Sequence, residues 1–389
     1  MPGLSDQHTA EVTNLAAVND RAQYSFDPRL LECETTGAFW ETLHRLELTL
    51  AVTREYEHFL LLMSAPGGLP LQSPLPLPHP SGIAVDAATG NLIVSSTRTP
   101  NLIFWLRPLQ DADWTREIVP AAIARQGGKL YLPYRSTLLP GSLYIHEISL
   151  IGAELFATVT GHNFVARLDP EGGWQRVWWP RLLDGVPDGF RQNFFQLNGM
   201  AAGATLADSY FTAFSDLTDG PKPWKQGYGP KGKGVVFSGA SREVAVRGLT
   251  CPHSARLKDD ALWLCDSGFG ALARVENHAG HDPGRARVQR IASLPGFTRG
   301  LAFAADLAFV GLSRVIAAYE PYAPGVQPGQ SLCGIAIVDI KSGCIIGQLH
   351  WPNGYQIFDI QILPQTPEAR LPFDAASSGE VNAALRYLG

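Results

Sequence analysis

The chain has 389 residues, with 31 Lys and Arg against 36 Asp and Glu, which gives a formal net charge of −5. That balance argues against a dedicated nucleic-acid-binding protein, which usually carries a basic domain or face. Glycine and proline are frequent, at 39 and 29 residues, and only 17% of residues are charged, so a long helical bundle or coiled coil is excluded.

The sequence also bears on membrane association and on the cellular compartment of the protein. No apolar run approaches the roughly 18 residues of a membrane-spanning helix, so we expect no membrane partner. Residues 1–20 are polar and lack the basic and apolar regions of a signal peptide. The five cysteines are odd in number and none shows CxxC spacing, so no disulfide framework is expected. We predict a cytoplasmic protein.

Predicted elements begin with a short helix. Residues 1–46 form an N-terminal extension in which apolar side chains at helical spacing predict a helix over residues 37–46. From residue 47, short apolar runs alternate with Gly, Pro, Asp and Asn, which is typical of many short antiparallel strands. Residues 365–389 form a C-terminal tail that we predict to be partly helical.

The predicted strands form a repeat. Six segments begin with a polar residue, and a short, mostly apolar strand follows each one. The six polar residues are Ser81, His146, Asn198, His253, Arg299 and Asp359. Successive members are separated by 46 to 65 residues, which suits a four-stranded propeller blade with long loops.

The last of the six repeats has one strand before Pro364, and two strands predicted at residues 48–53 and 58–63 can complete it. We therefore predict an all-β fold, a six-bladed β-propeller over residues 47–364, closed by N- and C-terminal strands and decorated by the short N-terminal helix. This closure removes the exposed sheet edge. A pair of β-sandwiches or a mixed α+β chain is the alternative.

The six polar residues at the strand starts are candidates for a functional ring, because the innermost strands of a propeller line its central channel. Two histidines and a carboxylate, His146, His253 and Asp359, are a ligand set for a divalent metal ion, and the Asn198 carbonyl can add an oxygen. Such an ion would polarise a carbonyl group or activate a bound water.

Two alternatives to the metal site stay open. In a metal-free site, one histidine would act as the base, Asp359 would orient it, and Arg299 would hold a carboxylate or a developing oxyanion. In the other, the ring only satisfies buried polar groups and channel water, without any turnover.

The loops after the second strands surround the same channel mouth. Arg54, Arg299 and Arg314 would form an anion-binding rim there, and His162 and Asp266 are further candidates. The predicted substrate-binding residues are Arg54, Ser81, Asn198, Asp266 and Arg314.

A loop over residues 216–234 contains four lysines together with Trp224 and Tyr228. It is either a lid that grips a peptide or anionic substrate, or a plain solvated insertion. No Gly-rich phosphate loop opens a helix in the sequence, so no nucleotide cofactor is expected.

Several motifs resemble an uncharacterised bacterial family of β-propellers, known as a domain of unknown function. They include GLTCPHS over residues 248–254, LWLCDSG over 262–268 and LPGFTRGLAF over 294–303. The resemblance covers roughly residues 45–364; it implies a propeller and supports the ring, and it brings no activity. A weaker resemblance, at the level of fold, is to six-bladed lactonases, strictosidine-synthase-like enzymes and amidating lyases, which use metal ions at the channel mouth.

These observations predict a metal-assisted enzyme of hydrolase, lyase or cyclase type, acting on a small molecule or modified peptide at the channel mouth. Its predicted catalytic residues are His146, His253, Arg299 and Asp359. The competing function is a non-catalytic propeller that binds a peptide or partner protein over the same face.

Overall fold

The structure, a computed structural model, describes residues 27–109, 129–220, 229–279, 283–363 and 366–371. Nearly all regular structure in these ranges is β. The strands of the first half are β1 Glu34–Gly37, β2 Thr49–Arg54, β3 Phe59–Ser64, β4 Leu71–Pro76, β5 Pro80–Val85, β6 Leu92–Ser96, β7 Asn101–Pro108, β8 Lys129–Leu139, β9 Ile145–Ile151, β10 Glu154–Val159, β11 Phe164–Leu168 and β12 Trp174–Trp178.

The second half continues the same pattern of short strands. They are β13 Gly199–Ala201, β14 Tyr210–Ala213, β15 Gly234–Ser238, β16 Val244–Leu249, β17 Pro252–Lys258, β18 Ala261–Asp266, β19 Ala271–Glu276, β20 Arg287–Ser293, β21 Phe297–Ala304, β22 Leu307–Ser313, β23 Gly334–Asp339, β24 Ile345–His350, β25 Asp359–Leu363 and β26 Ala369–Arg370.

Helical structure in the described ranges is one α-helix and several short 3-10 turns. The α-helix, α1, spans Phe39–Arg45, inside the predicted range of 37–46, and buries Phe39 and Leu43. The 3-10 turns are Pro28–Leu31, Pro66–Gly68, Thr160–His162, Arg181–Leu183, Ser267–Phe269, Pro283–Arg285, Ala317–Tyr322 and Pro328–Gln330. No helix in the described part of the chain is long and apolar enough to cross a membrane.

The strands form six sheets, which are the six blades of a propeller. From the innermost strand outward, blades 1 to 5 start with β5, β9, β13, β17 and β21, and each runs through the next three strands of the chain. Blade 6 has the order β25, β2, β3, β4. Strand β1 adds an outer edge to blade 5, and β26 pairs in parallel with β8 on blade 1. The predicted fold is therefore confirmed.

Blade 6 closes the ring by joining the two ends of the chain. Strand β25 pairs antiparallel with β2, and Val52 lies opposite Ile360. Every residue of β2 and β3 is buried, because each propeller sheet is covered on both faces by neighbouring blades. That burial explains their nearly continuous apolar sequences and confirms the predicted closure. Residues 372–389, which make up most of the C-terminal tail predicted to be partly helical, lie outside the described residues.

Close packing of the innermost strands sets the width of the channel. A Cβ atom added at Gly82 would lie 2.5 Å from the backbone nitrogen of Ile148 and 2.7 Å from Cα of Glu147. Glycine is therefore required where blade 1 meets blade 2. Register shifts interrupt β5, β17 and β21 near their starts, at the positions where the polar ring residues occur, and such bulges re-aim side chains.

Candidate functional site

A cavity of about 680 Å³ opens at one mouth of the channel, within the usual size range of small-molecule sites. It is lined by the first residues of innermost strands and by loops that follow second strands. Three members of the predicted ring, His146, His253 and Arg299, lie on its surface together.

His146 lies near the start of β9 and is 4% exposed. Its Nδ1 is 3.2 Å from Nη2 of Arg299. Because a guanidinium group can only donate hydrogen bonds, Nδ1 must accept, and the neutral ring then carries its proton on Nε2. That Nε2 is buried and has no hydrogen-bond partner among the described residues. Burial, followed by the charge of Arg299, lowers the pKa of His146 well below its usual value.

His253 shows the opposite arrangement. Its Nδ1 is 2.9 Å from the carbonyl oxygen of Cys251 and 2.9 Å from Oγ of Ser267. A carbonyl oxygen can only accept, so Nδ1 carries the proton and the lone pair is on Nε2. Burial and the charge of Arg299 lower the pKa of His253 well below its usual value. The cavity therefore contains one imidazole that donates and one that accepts.

Arg299 supplies a buried positive charge. Its side chain is 8% exposed, and its guanidinium carbon lies 3.3 Å from the centre of the Phe358 ring. No carboxylate of the described residues forms an ion pair with it. Burial lowers the pKa of Arg299 to about 10, so it remains a cation at neutral pH. Glu55 and Asp359 attract this charge from beyond ion-pair distance, and a buried charge without a paired counter-charge is costly.

An ion-pair network crosses the channel below the cavity. Arg256 on β17 donates from Nη1 to Oε1 of Glu147 on β9, and from Nη2 to Oδ1 of Asp359 on β25 at 3.0 Å. The backbone N–H of Met200 donates to Oε2 of Glu147 at 3.1 Å, and that of Ile83 donates to Oδ2 of Asp359 at 2.9 Å. The network joins five of the six blades.

One guanidinium faces two carboxylates in this network. Burial raises the pKa of Glu147 to about 7 and also raises the pKa of Asp359, while Arg256 opposes both shifts. Because the two carboxylates repel each other and share one cation, they titrate as a pair that retains a proton toward neutral pH.

A second, much smaller cavity of about 10 Å³ lies between this network and the ring, and His146 and Asn198 contribute to its wall. The side-chain carbonyl of Asn198 accepts from Oγ1 of Thr212 at 2.7 Å, while its Nδ2 is buried and has no partner in the described part of the chain. The volume is close to that of one water site.

The residues predicted to bind a metal ion have other partners in the structure. No group of three or more His, Cys, Asp or Glu side chains within the described ranges is arranged to hold a metal ion. The carboxylate of Asp359 is already held by Arg256 and by a backbone N–H group. His146, His253, Asp359 and Asn198 line one small cavity in the channel, and a metal ion held by them stays a prediction. The hydrogen bonds of the Asp359 carboxylate are with Arg256 and with the backbone N–H groups of Ile83 and Ile360, and no histidine is among these partners.

Arg54, predicted to bind substrate, lies away from the cavity. It is fully buried, with its guanidinium carbon 4.8 Å from the ring centres of both Phe59 and Trp351. Its Nη2 forms an ion pair with Glu57 at 2.9 Å. These contacts join β2 to the surrounding core, so Arg54 has a structural role.

Ser81 and Asp266, which were also predicted to bind substrate, have side-chain partners outside the cavity. The Oγ atoms of Ser81 and Ser95 are 2.9 Å apart. Asp266 forms an ion pair with Arg290 at 2.7 Å and accepts from the backbone N–H of Thr250 at 2.7 Å. Neither residue lines the cavity.

Arg314 and His162 do line the cavity, as predicted. The ring nitrogens of His162 lie 2.7 Å and 2.8 Å from the carbonyl oxygens of Phe190 and Ser142, which fixes the ring in place. Residues 221–228 of the predicted lid lie outside the described residues.

Several cavity residues were not predicted. Glu55, Tyr56, Arg98, Tyr144 and Phe358 all line the cavity. Glu55, Tyr56, Tyr144 and Phe358 lie within two positions of a predicted site residue, so extending each predicted position along its loop would find them, whereas Arg98 has no such neighbour. The ion-pair network also had a signal, because a charged residue within an innermost strand, such as Arg256, can only face the channel or a neighbouring strand.

Residues 37–371 match the family described as a domain of unknown function, DUF4915. The chain belongs to this family, which confirms the resemblance. A comparison with curated proteins finds no match.

Solved structures share the fold at low identity. A chain of the nidogen/laminin complex is 12% identical with a TM-score of 0.52, over 82% of this chain and 99% of that one. A gluconolactonase from Xanthomonas campestris is 13% identical with a TM-score of 0.43, over 79% of this chain and 86% of that one. Virginiamycin B lyase from Staphylococcus aureus is 13% identical with a TM-score of 0.40, over 77% and 76%. The structural neighbours thus include propeller enzymes, and the likeness is one of fold.

Proposed function

We propose that the protein is an enzyme that performs metal-free acid–base chemistry on a small molecule bearing an anionic group, bound in the channel-mouth cavity. One observation carries this proposal. His146 carries a buried Nε2–H group and His253 an Nε2 lone pair, and both residues line the cavity together with Arg299, whose cation forms no ion pair among the described residues.

Each of the three residues has a separate role. His253 accepts a proton from the substrate at Nε2, and its Nδ1–H bond to a backbone carbonyl holds the ring in the tautomer that a base requires. Arg299 binds the anionic group. His146 donates its Nε2–H to the oxygen on which negative charge develops.

The lowered pKa values fit these roles. Both imidazoles stay neutral at pH 7 because burial disfavours their charged form and protonation would add a second charge beside Arg299. The lone pair of His253 is therefore free over the physiological range, and an anionic group bound to Arg299 would offset the charge that opposes proton uptake. Elimination, cyclisation and hydrolysis all begin with such a step, in which the proton comes from carbon, from an internal nucleophile or from water.

The test compares the wild-type protein with two asparagine variants, in the presence of a chelator, against a panel of small anionic compounds. His253→Asn keeps a donor near the position of Nδ1 and removes the base. His146→Asn keeps an acceptor for Arg299 and removes the Nε2–H group. We expect wild-type turnover with chelator present, and a loss of about 10²–10⁴-fold in His253→Asn.

Two results would overturn the proposal. Turnover that depends on added metal would show that the chemistry is not carried by the side chains alone. A compound that binds in the cavity and is recovered unchanged, with equal affinity for His253→Asn, would support a non-catalytic binding module instead.

A further inference from the structure

The cavity has the buried cation of Arg299 at its floor and aromatic side chains as its walls, and these groups also indicate the class of ligand. We propose that the ligand is a carboxylate carried on a flat aromatic or conjugated body, with the carboxylate on Arg299 and the flat body between aromatic side chains. This inference rests on the proposed function for the site that it describes, and it adds the class of substrate.

The single positive charge of Arg299 at the floor of the cavity matches a ligand with one negative charge. Arg299 is the buried cation that lacks a carboxylate partner within the described part of the cavity. Arg98, nearer the rim, already contacts Glu55, with Nε 3.2 Å from Oε1. Arg314 forms no ion pair with a carboxylate among the described residues either, but it is only half-buried, and its Nη2 donates to the carbonyl oxygen of Pro352. A phosphate monoester brings a charge of about −1.5 to −2 and three acceptor oxygens, which is more than one guanidinium group can compensate.

The geometry of Arg299 favours a planar anion. Its guanidinium group lies over the Phe358 ring, and one terminal nitrogen is held by Nδ1 of His146. Both contacts fix the direction in which the remaining N–H groups point. A guanidinium group held in one orientation recognises the planar, two-oxygen face of a carboxylate.

The walls around the two imidazoles are aromatic. The ring of His146 lies 4.7 Å from that of Tyr144 and 5.3 Å from that of Phe358, measured between ring centres. The ring of His253 lies 5.3 Å from that of Phe214 and 5.5 Å from that of Phe297.

Two further rings, those of Tyr319 and Tyr322, line the same cavity. Flat apolar surface on a ligand gains most from such walls, since aromatic pairs add specific attraction to the burial of area. A carboxylate with a conjugated body therefore satisfies both the floor and the walls.

The experiment measures binding by isothermal titration calorimetry with four probes: phenylacetate, phenyl phosphate, 2-phenylethanol and glucuronate. We expect phenylacetate to bind one site per chain, and each of the other three to bind at least tenfold more weakly. Arg299→Gln should reduce phenylacetate affinity at least tenfold. The matched control is Arg167→Gln, an exposed arginine paired with Glu154 on blade 2, which should leave the affinity unchanged.

Several outcomes would overturn the inference. Equal or tighter binding of phenyl phosphate would indicate a phosphate site, and tighter binding of glucuronate would indicate a sugar acid. Undiminished phenylacetate binding by Arg299→Gln, or no binding of phenylacetate by the wild type at millimolar concentration, would also reject it. If Arg299→Gln does not fold, as judged by circular dichroism, the ranking of the four probes on the wild type decides.

Failure of this inference can be told apart from failure of the proposed function. Selective binding of phenylacetate, without turnover of any aromatic carboxylate, would leave the ligand class standing and reject the enzyme. Turnover of a substrate without a carboxylate, lost in His253→Asn, would do the reverse.

Discussion

Nη2 of Arg299 lies 3.2 Å from Nδ1 of His146, and this contact determines the proton position on a ring in blade 2 from a side chain in blade 5. A guanidinium group has no lone pair to offer, so the imidazole must accept at Nδ1 and present N–H at Nε2. The same cation disfavours protonation of both cavity histidines. Burial lowers the pKa of both histidines and the charge of Arg299 adds to this effect, so the proposed anion-binding group also helps to keep the histidines neutral.

The tautomers can be measured directly. We expect long-range ¹H–¹⁵N spectra to show His146 with its proton on Nε2 and His253 with its proton on Nδ1, and neither ring to become cationic between pH 8 and pH 6. The physical reason is that each Nδ1 faces a partner that permits only one proton position. Assignment follows from the spectra of His146→Asn and His253→Asn. An Nε2–H tautomer at His253 would remove the proposed base.

Protein stability should depend on pH through the same histidines. The folded pKa of His253 is lowered well below 6.5, so below that value the unfolded chain binds a proton that the native state does not. Its contribution to stability is complete above pH 6.5 and is lost as the pH falls. The slope approaches about 1.4 kcal/mol per pH unit for one such group.

Glu147 has the opposite effect on stability. Its folded pKa is raised to about 7, so between pH 7 and 4.5 its contribution to stability increases as the pH falls. The measurement is therefore a difference between proteins. Urea unfolding of the wild type and of His253→Asn is compared from pH 7 to pH 5, and the free energy of unfolding of the variant should fall less steeply. Parallel curves would contradict the assigned shift.

The fold could be predicted from sequence because its signals are local and repeated. Each unit begins with a polar residue and a short apolar strand, and the spacing of these units excludes most other architectures. Blade 6 could be predicted as well, since β2 and β3 had no repeat of their own to join and β25 had no following strands. Strand β26 beside β8 was not predicted, because a pairing of two residues leaves no periodic signal.

The positions of the site residues could be predicted from the sequence, but their contacts with one another could not. The sequence places His146, His253, Arg299 and Asp359 at equivalent points of different blades, and three of them do line the cavity. It cannot show that Arg256, the fifth residue of β17, crosses the channel and contacts Asp359. That contact joins blades 4 and 6, so its existence depends on channel width and side-chain direction, which the repeat pattern does not contain.

Arg54 provides a test of a structural role. Arg54→Met keeps most of the packing between Phe59 and Trp351 but leaves Glu57 buried without its cation. Removing one partner of a buried pair costs about 3–5 kcal/mol, so we expect a loss of that size in urea unfolding. Ligand affinity of the folded variant should be unchanged. The matched control is Arg191→Met, from an exposed pair with Asp188, which should change stability by less than about 0.5 kcal/mol. If Arg54→Met instead bound the ligand more weakly and kept the wild-type stability, Arg54 would belong to the binding site.

Gly82 tests the packing that sets channel width. Gly82→Ala would place a methyl group 2.5 Å from the Ile148 nitrogen, and overpacking of this kind costs about 1–3 kcal/mol. We also expect the variant to weaken ligand binding, because the displaced segment carries Glu147 and adjoins His146. Gly329→Ala is the control, since nothing lies within 4 Å of its added Cβ. Thermal unfolding and calorimetry of both variants measure the two effects, and equal stability of the two would show that the blades separate without cost.

Arg256 should stabilise the channel in a pH-dependent way. In Arg256→Met, Glu147 and Asp359 lose the cation that both contact. At pH 8 the two buried carboxylates are uncompensated, and we expect a loss of about 3–5 kcal/mol in the free energy of unfolding. Burial already raises both pKa values, so without Arg256 the native state takes up protons more readily than the unfolded chain. The stability of the variant should therefore rise as the pH is lowered from 8 to 5.

The double variant Arg256→Met/Glu147→Gln also replaces one of the two carboxylates with a neutral amide. At pH 8 it should therefore be more stable than Arg256→Met alone, and its stability should depend less on pH. Urea unfolding of the wild type and both variants at pH 8 and pH 5 measures this coupling. An equal loss at both pH values in Arg256→Met would mean that the guanidinium group contributes packing and hydrogen bonds rather than charge. The ion-pair network would then hold the blades together without controlling the ionisation of the channel.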